Sequence, residues 1–161
     1  MILALDPGPE KTGCVWFDGM RVIGSDIAHN GTLLELVKRN DSGTLAIEMI
    51  ASYGMSVGRE VFETCVWIGR FQQAWHSPDS VRLVYRRDVK LHLCGSAKAK
   101  DTNIRQALLD LFPRTGGGAT PQIGTKKQPG PLFGVSSHAW AALGVAATVA
   151  GLTPENARRS A

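Results

Sequence analysis

Apolar and polar positions change period several times along this chain, and each change marks an element. Ile2-Leu3-Ala4-Leu5 is an unbroken apolar run, the pattern of a buried strand, and it stops at the turn-forming string Asp6-Pro7-Gly8-Pro9-Glu10-Lys11-Thr12-Gly13. Cys14-Val15-Trp16-Phe17 resumes a strand, and Asp18-Gly19 joins it to Arg21-Val22-Ile23-Gly24 as a tight hairpin. Three antiparallel strands therefore open the fold. Leu33, Leu34, Leu36 and Val37 predict a short helix that ends at Asp41-Ser42-Gly43, and Thr44-Leu45-Ala46-Ile47-Glu48-Met49 predicts a fourth strand returning beside the first.

Over 57–75 the period lengthens. Val57, Val61, Cys65, Ile68, Phe71 and Trp75 recur three or four apart, with Glu60, Glu63, Arg70 and Gln73 between them, which predicts a long amphipathic helix. A fifth strand follows at 81–85, a short helix at 88–93, and another helix at 101–112 whose inner face carries Ile104, Ala107, Leu108 and Leu111. Residues 113–131 are rich in Gly, Pro, Thr and Lys and lack any apolar period, so a flexible loop is expected at about 113–134. A final helix, 136–150, is almost wholly small and apolar and must pack on the sheet. Hairpin strands followed by alternating helix and strand predict an α/β fold, a mixed five-stranded sheet with helices on its faces, in one domain spanning 1–161.

Composition narrows the function classes. With 43% hydrophobic residues the chain can build a core without staples. No run of about 18 apolar residues is present to cross a membrane, and the leading apolar segment meets Asp6 too soon for a signal peptide, so a cytoplasmic protein without membrane contact is expected. Cys14, Cys65 and Cys94, and His29, His76, His92 and His138, are too scattered for a disulfide framework or a zinc module. The net charge of +4 is unevenly spread: residues 81–127 hold ten basic against three acidic residues, leaving eight against eleven elsewhere. Such asymmetry suits a surface that meets a polyanion, although a solvated basic face produces the same count.

Two acids stand out because each sits in apolar sequence. Asp6 closes the first strand, and Glu48 lies inside Leu45-Ala46-Ile47-Glu48-Met49-Ile50. Buried carboxylates are costly unless a cation meets them. If the two strands are neighbours, both acids can face one site and bind Mg²⁺ or Mn²⁺, hard ions that prefer oxygen ligands. The structural alternatives are an Asx-turn for Asp6 and an exposed edge-strand position for Glu48.

Four segments together resemble a known family. Ile2-Leu3-Ala4-Leu5-Asp6-Pro7-Gly8 with Thr12-Gly13, then Leu45-Ala46-Ile47-Glu48, resembles the opening of RuvC-type Holliday junction resolvases. Val89-Lys90-Leu91 and Cys94-Gly95-Ser96-Ala97-Lys98-Ala99-Lys100 are similar to that family's basic stretch, and Ser137-His138-Ala139-Trp140-Ala141-Ala142-Leu143-Gly144-Val145-Ala146 is similar to its last active-site helix. Gly58-Arg59-Glu60-Val61-Phe62 and Gly130-Pro131-Leu132-Phe133-Gly134 look most like the forms encoded by bacteriophages.

The resemblance implies a ribonuclease-H-like sheet with helices on both faces, and a nuclease that cuts four-way DNA junctions with two Mg²⁺ or Mn²⁺ ions. It implies Asp6, Glu48 and His138 as catalytic metal ligands, with Asp101 as a candidate to complete the set. For His138 the alternative is a buried or capping histidine, and for Asp101 a first-turn helix acid. The family pattern puts an Asp three residues after the position of His138, where this chain has Ala141; loss of an acid there, natural or engineered, would leave a junction binder that cuts weakly.

Lys90, Lys98, Lys100 and Arg105 are expected to touch phosphates, with Lys126 and Lys127 further along, a solvated helix face being the alternative. Phe62, Trp67, Phe71 and Trp75 are core candidates, any of which could instead stack on an opened base. Paired cuts in a two-fold symmetric junction imply a homodimer, with the 57–75 helix as its interface. Two rival readings remain: a ribonuclease-H-like nuclease acting on an RNA/DNA hybrid or a flap, and a small-molecule phosphotransferase of the related ATP-binding fold, which would need a second domain.

Overall fold

A computed structural model describes residues 1–40 and 43–159 of the protein. Strands β1 (Ile2–Pro7), β2 (Lys11–Phe17) and β3 (Val22–His29) form an antiparallel meander. Helix α1 (Asn30–Arg39) leads to β4 (Thr44–Met49), which lies parallel to β1. Helix α2 (Arg59–Ala74) and a 3-10 turn (Pro78–Ser80) lead to β5 (Arg82–Tyr85), parallel to β4. Helices α3 (Arg86–Cys94), α4 (Asp101–Asp110), α5 (Ala139–Ala150) and α6 (Pro154–Arg159) complete the chain. The sheet order is β3-β2-β1-β4-β5, so the fourth strand does return beside the first.

Several boundaries differ from the sequence reading. The first two strands continue to Pro7 and from Lys11, because the ladder extends to the pairs Asp6 with Gly13 and Pro7 with Thr12; only Gly8–Glu10 remain as the turn. Pairing with β2 also carries β3 on to His29 through polar Ser25 and Asp26, which no apolar pattern marks. Of the helix stop expected at 41–43, positions 41 and 42 lie outside the described residues; α1 ends at Arg39, and the Asn40 N–H bonds the Val37 carbonyl at 3.2 Å. The last long helix starts at Ala139 instead of 136, since Ser137 has φ +42 and cannot continue a right-handed turn. Helix α6 had no apolar signature of its own.

Strand alternation splits the core in two. Leu3, Leu5, Cys14, Leu45 and Ile47 point to one face and pack with Leu33 and Val37 of α1 and Ile68 and Phe71 of α2. Ala4, Val15, Phe17, Ala46 and Val84 point to the other, beneath α5 and beside Val89 of α3 and Ile104 and Leu108 of α4. Helices therefore cover both faces. Ala4 and Ala46 on the strands and Ala142, Gly144 and Ala146 on α5 let that helix settle closely on β1, β2 and β4. A Cβ at Gly13 would lie 2.5 Å from the backbone carbon of His138, so only glycine at this point of β2 lets the start of α5 approach the sheet. No helix among the described residues is long and apolar enough to cross a membrane.

Candidate active site

The register that aligns Leu5 with Ile47, carried one residue further, sets Asp6 beside Glu48 at the carboxyl ends of two central parallel strands. Crevices beyond such strand ends are where open α/β sheets bind ligands. Both carboxyls point to the α5 face and open into a cleft of about 610 Å³ lined also by Arg86, Asp101, Arg105, Ser137, His138, Trp140 and Ala141. The side chains of Asp6 and Glu48 are only 17% and 12% exposed, those of His138 and Asp101 67% and 80%.

The local structure excludes the bland alternatives for both buried acids. Asp6 does not tie the following turn. That task falls to Asn30, whose amide donates to the Gly8 carbonyl at 2.9 Å and accepts from the Thr12 hydroxyl at 2.6 Å. Asp6 instead accepts a hydrogen bond from Nδ1 of His138 at 3.0 Å. Glu48 is not on an edge strand, because β5 lies outside β4. Nor is His138 buried or a side-chain cap: it precedes α5 without a capping bond and its ring is largely open to solvent.

Electrostatics reveal what the pair lacks. Burial first, then the adjacent Asp6 carboxyl, raises the pKa of Glu48 from 4.5 to about 8, against the opposing pull of Arg86. Arg86 lines the cleft and was not singled out by the sequence reading. It begins α3 directly after β5, with no loop between, so its side chain reaches across the strand ends. Its Nη1 lies 3.5 Å from Glu48 Oε1 and its Nη2 bonds Asp101 Oδ1 at 2.7 Å, while the buried Nη1 makes no hydrogen bond.

Asp101 does occupy the first turn of α4, and its hydrogen bond with Arg86, reinforced by the charges of Arg86 and Lys90, holds its carboxyl below the usual range. It therefore shares the cleft with Asp6 and Glu48 but engages the guanidinium. Among the described residues, no three His, Cys, Asp or Glu side chains form a preassembled metal-binding cluster. Ala141 lies one turn beyond His138 on the same wall.

The basic residues fall into three places. Arg105 lines the cleft, its guanidinium 4.5 Å above the Trp140 ring. Lys90 borders an adjoining pocket with Arg86, Arg87, Tyr53 and Ala97, and exposed Lys98 and Lys100 precede α4. Lys126 and Lys127 are exposed on the 113–138 segment. Phe71 and Trp75 are core residues, Trp67 packs partly against them, and Phe62 is exposed. A wider depression of about 890 Å³ under α1, lined by Trp16, Glu35, Leu36 and Arg39, lies on the other face of the sheet and gathers no comparable set of acids.

A β3-β2-β1-β4-β5 mixed sheet with helices on both faces is the ribonuclease-H-like fold. Among solved structures, the chain is similar to T. thermophilus RuvC in complex with Holliday junction substrate, with 19% identity, a TM-score of 0.60, and 97% of this chain and 96% of that one covered. It is also similar to another Thermus thermophilus RuvC structure, with 18% identity, a TM-score of 0.61 and coverage of 99% and 96%. No protein-family model matches the sequence, and no curated protein matches it.

Proposed function

We propose that this chain is a metal-dependent, structure-selective endonuclease that resolves four-way DNA junctions and related branched DNA. The observation that carries the reading is the pairing of Asp6 with Glu48 at adjacent strand ends, inside a cleft lined by Arg105, with Lys90 on an adjoining pocket. The RuvC fold, found elsewhere on a Holliday junction, supports the choice of substrate.

The donor chemistry fits a divalent cation. Two facing carboxyls, one of them lifted to about 8, form a site short of positive charge despite Arg86, and oxygen donors of this kind suit Mg²⁺ or Mn²⁺. Asp6 and Glu48 would hold the first ion, and His138 and Asp101 would contribute to a second. When bound, such ions lower the pKa of water and neutralise charge that develops on a phosphodiester.

The chain's own groups do the rest. Nδ1 of His138 donates to the Asp6 carboxylate and so holds the ring at the cleft wall. Arg86 orients Glu48 and Asp101. Arg105, Lys90, Lys98 and Lys100 position the phosphates. Water attacks phosphorus, the bond to the 3′ oxygen breaks, and the products carry 5′-phosphate and 3′-hydroxyl ends. Asp6→Asn should abolish Mg²⁺-dependent junction cleavage by at least about 100-fold, the scale of losing one group that supports transition-state charge, while junction binding in EDTA persists. Parental turnover by this variant at equal DNA occupancy would remove Asp6 from the mechanism.

A second reading, a junction-binding protein that cuts weakly, is favoured by one feature: Arg86 occupies Glu48 and Asp101, and Ala141 supplies no carboxylate in return. Junction affinity without Mg²⁺- or Mn²⁺-dependent products would identify it. In either case two-fold junction symmetry calls for a homodimer. Exposed Phe62 and Val66 on α2, near exposed Tyr53, Met55 and Val57, form the proposed interface. Light scattering that gives a monomer both free and on junction DNA would refute it.

A further inference from the structure

The 113–138 segment, irregular in sequence, is closely built. Lys126 and Lys127 are the two-residue tip of a hairpin: the Thr125 N–H donates to the Gln128 carbonyl at 2.9 Å, and the Gln128 N–H returns to the Thr125 carbonyl at 3.1 Å. Gly124 and Pro129 form an antiparallel bridge below the tip, and the Gly117 N–H also donates to the Gln128 carbonyl at 2.9 Å. The backbones at the base touch. A Cβ on Gly124 would lie 2.2 Å from the Gly130 nitrogen, one on Gly130 2.3 Å from the Pro121 oxygen, and one on Gly116 2.7 Å from the Gly124 Cα. These neighbours are backbone atoms, which cannot rotate away as a side chain would.

This base is fixed to the core that carries the cleft. The Leu132 N–H bonds the Gln122 carbonyl at 2.8 Å, Leu132 is fully buried, and Ile123 packs on the same cluster as Ala139 and Trp140. The chain then runs through buried Val135 to His138. The tip is therefore held on the framework that places His138.

Its charge has no internal answer. No Asp or Glu occurs between Asp110 and Glu155, and among the described residues no ion pair involves Lys126 or Lys127. Two adjacent exposed ammonium groups on a stiff support repel one another and stay hydrated until a polyanion arrives. Stiffness then lowers the ordering cost of binding. We infer that the 116–130 hairpin is a preorganised finger that grips the sugar–phosphate backbone of a junction arm, independently of base sequence. The inference rests on the junction reading above.

The test measures binding of four-way junction and linear duplex DNA in EDTA across a salt series, so that no cutting intervenes. Lys126→Ala with Lys127→Ala should weaken junction binding and lower the salt slope by about 1.8, or about 0.9 for each phosphate no longer neutralised. Gly124→Ala keeps both lysines but breaks the base, and it should weaken binding as well. Hydrogen exchange on the parent protein should show protected amides at Gly117, Thr125, Gln128 and Gly130. Parental affinity and slope in the double-lysine variant would overturn the finger while leaving the junction reading intact. Free exchange of those four amides would overturn its preorganisation even if Gly124→Ala failed to fold. A parent protein that bound neither DNA would sink the junction reading and the finger with it.

Discussion

Nδ1 of His138 bonds Oδ2 of Asp6 at 3.0 Å, joining the end of the first strand to the start of the last long helix. The bond fixes the orientation of the ring at the cleft wall. Its energetic share in folding is small, because the ring is mostly exposed.

His138→Ala should therefore change thermal stability by less than about 1 kcal/mol, the usual range for an exposed side-chain pair, yet slow cleavage by about 10- to 100-fold, since it removes the partner that orients Asp6 and a contributor to the proposed second ion. Ala141→Asp should raise activity with Mg²⁺, since position 141 lines the same cleft one turn along. Single-turnover rates beside melting curves decide both. Equal rates in all three proteins would remove the α5 wall from catalysis.

Glu48 makes the metal-free protein sensitive to pH in a defined direction. Its carboxyl keeps its proton up to about 8 when folded, but only to about 4.5 at its ordinary value. Across that window the folded state binds more protons than the unfolded state, so this group's contribution to stability falls as pH rises from about 4.5 to 8. Chelator-treated protein should lose stability over that range through this group, and Glu48→Gln should flatten the profile. Divalent-metal affinity should rise with pH up to about 8, because the ion displaces the proton. A parental profile unchanged by Glu48→Gln would contradict the assignment.

Arg86 is the cation in contact with Glu48 and Asp101. Arg86→Gln should destabilise the metal-free protein by about 1–2 kcal/mol, less than a fully buried pair would cost, since the guanidinium keeps partial solvent access. Added Mg²⁺ should then raise the melting temperature of Arg86→Gln more than that of the parent, because the ion replaces the lost charge beside Glu48 and Asp101. Identical Mg²⁺-induced shifts would mean that Arg86 and metal do not answer the same carboxylates.

Gly13 and Gly24 provide a matched pair on neighbouring strands. A Cβ at Gly13 would meet backbone atoms of His138 and Ala139 at 2.5–2.8 Å, while one at Gly24 would meet Trp16 at an ordinary 3.6 Å. Gly13→Ala should cost about 1–3 kcal/mol, as overpacking does, and depress cleavage by moving His138; Gly24→Ala should be near neutral. Denaturation midpoints for the two variants check this. Equal effects would show that the close approach of α5 to β2 is not tight.

Local pattern was enough to specify the strands, the long helices and the alternation that divides them between two faces. Apolar period is a local signal, and here it agrees with the tertiary environment: Leu3 and Leu5 face α1 and α2, while Ala4 faces α5. Asp6 and Glu48 were legible because a carboxylate in an apolar strand contradicts its surroundings and requires a partner. Arg86 was not, since nothing in a basic stretch tells which guanidinium crosses a strand end to reach an acid 38 positions earlier. The close packing of the 113–138 segment was equally hidden. Glycine, proline and lysine read locally as a flexible loop, and only contacts such as Gly124 against Gly130 and Gly116 against Pro121 turn that glycine content into close backbone packing. Periodicity reports which way a residue faces; which backbone comes within van der Waals contact of which other is decided when the whole chain closes around its core.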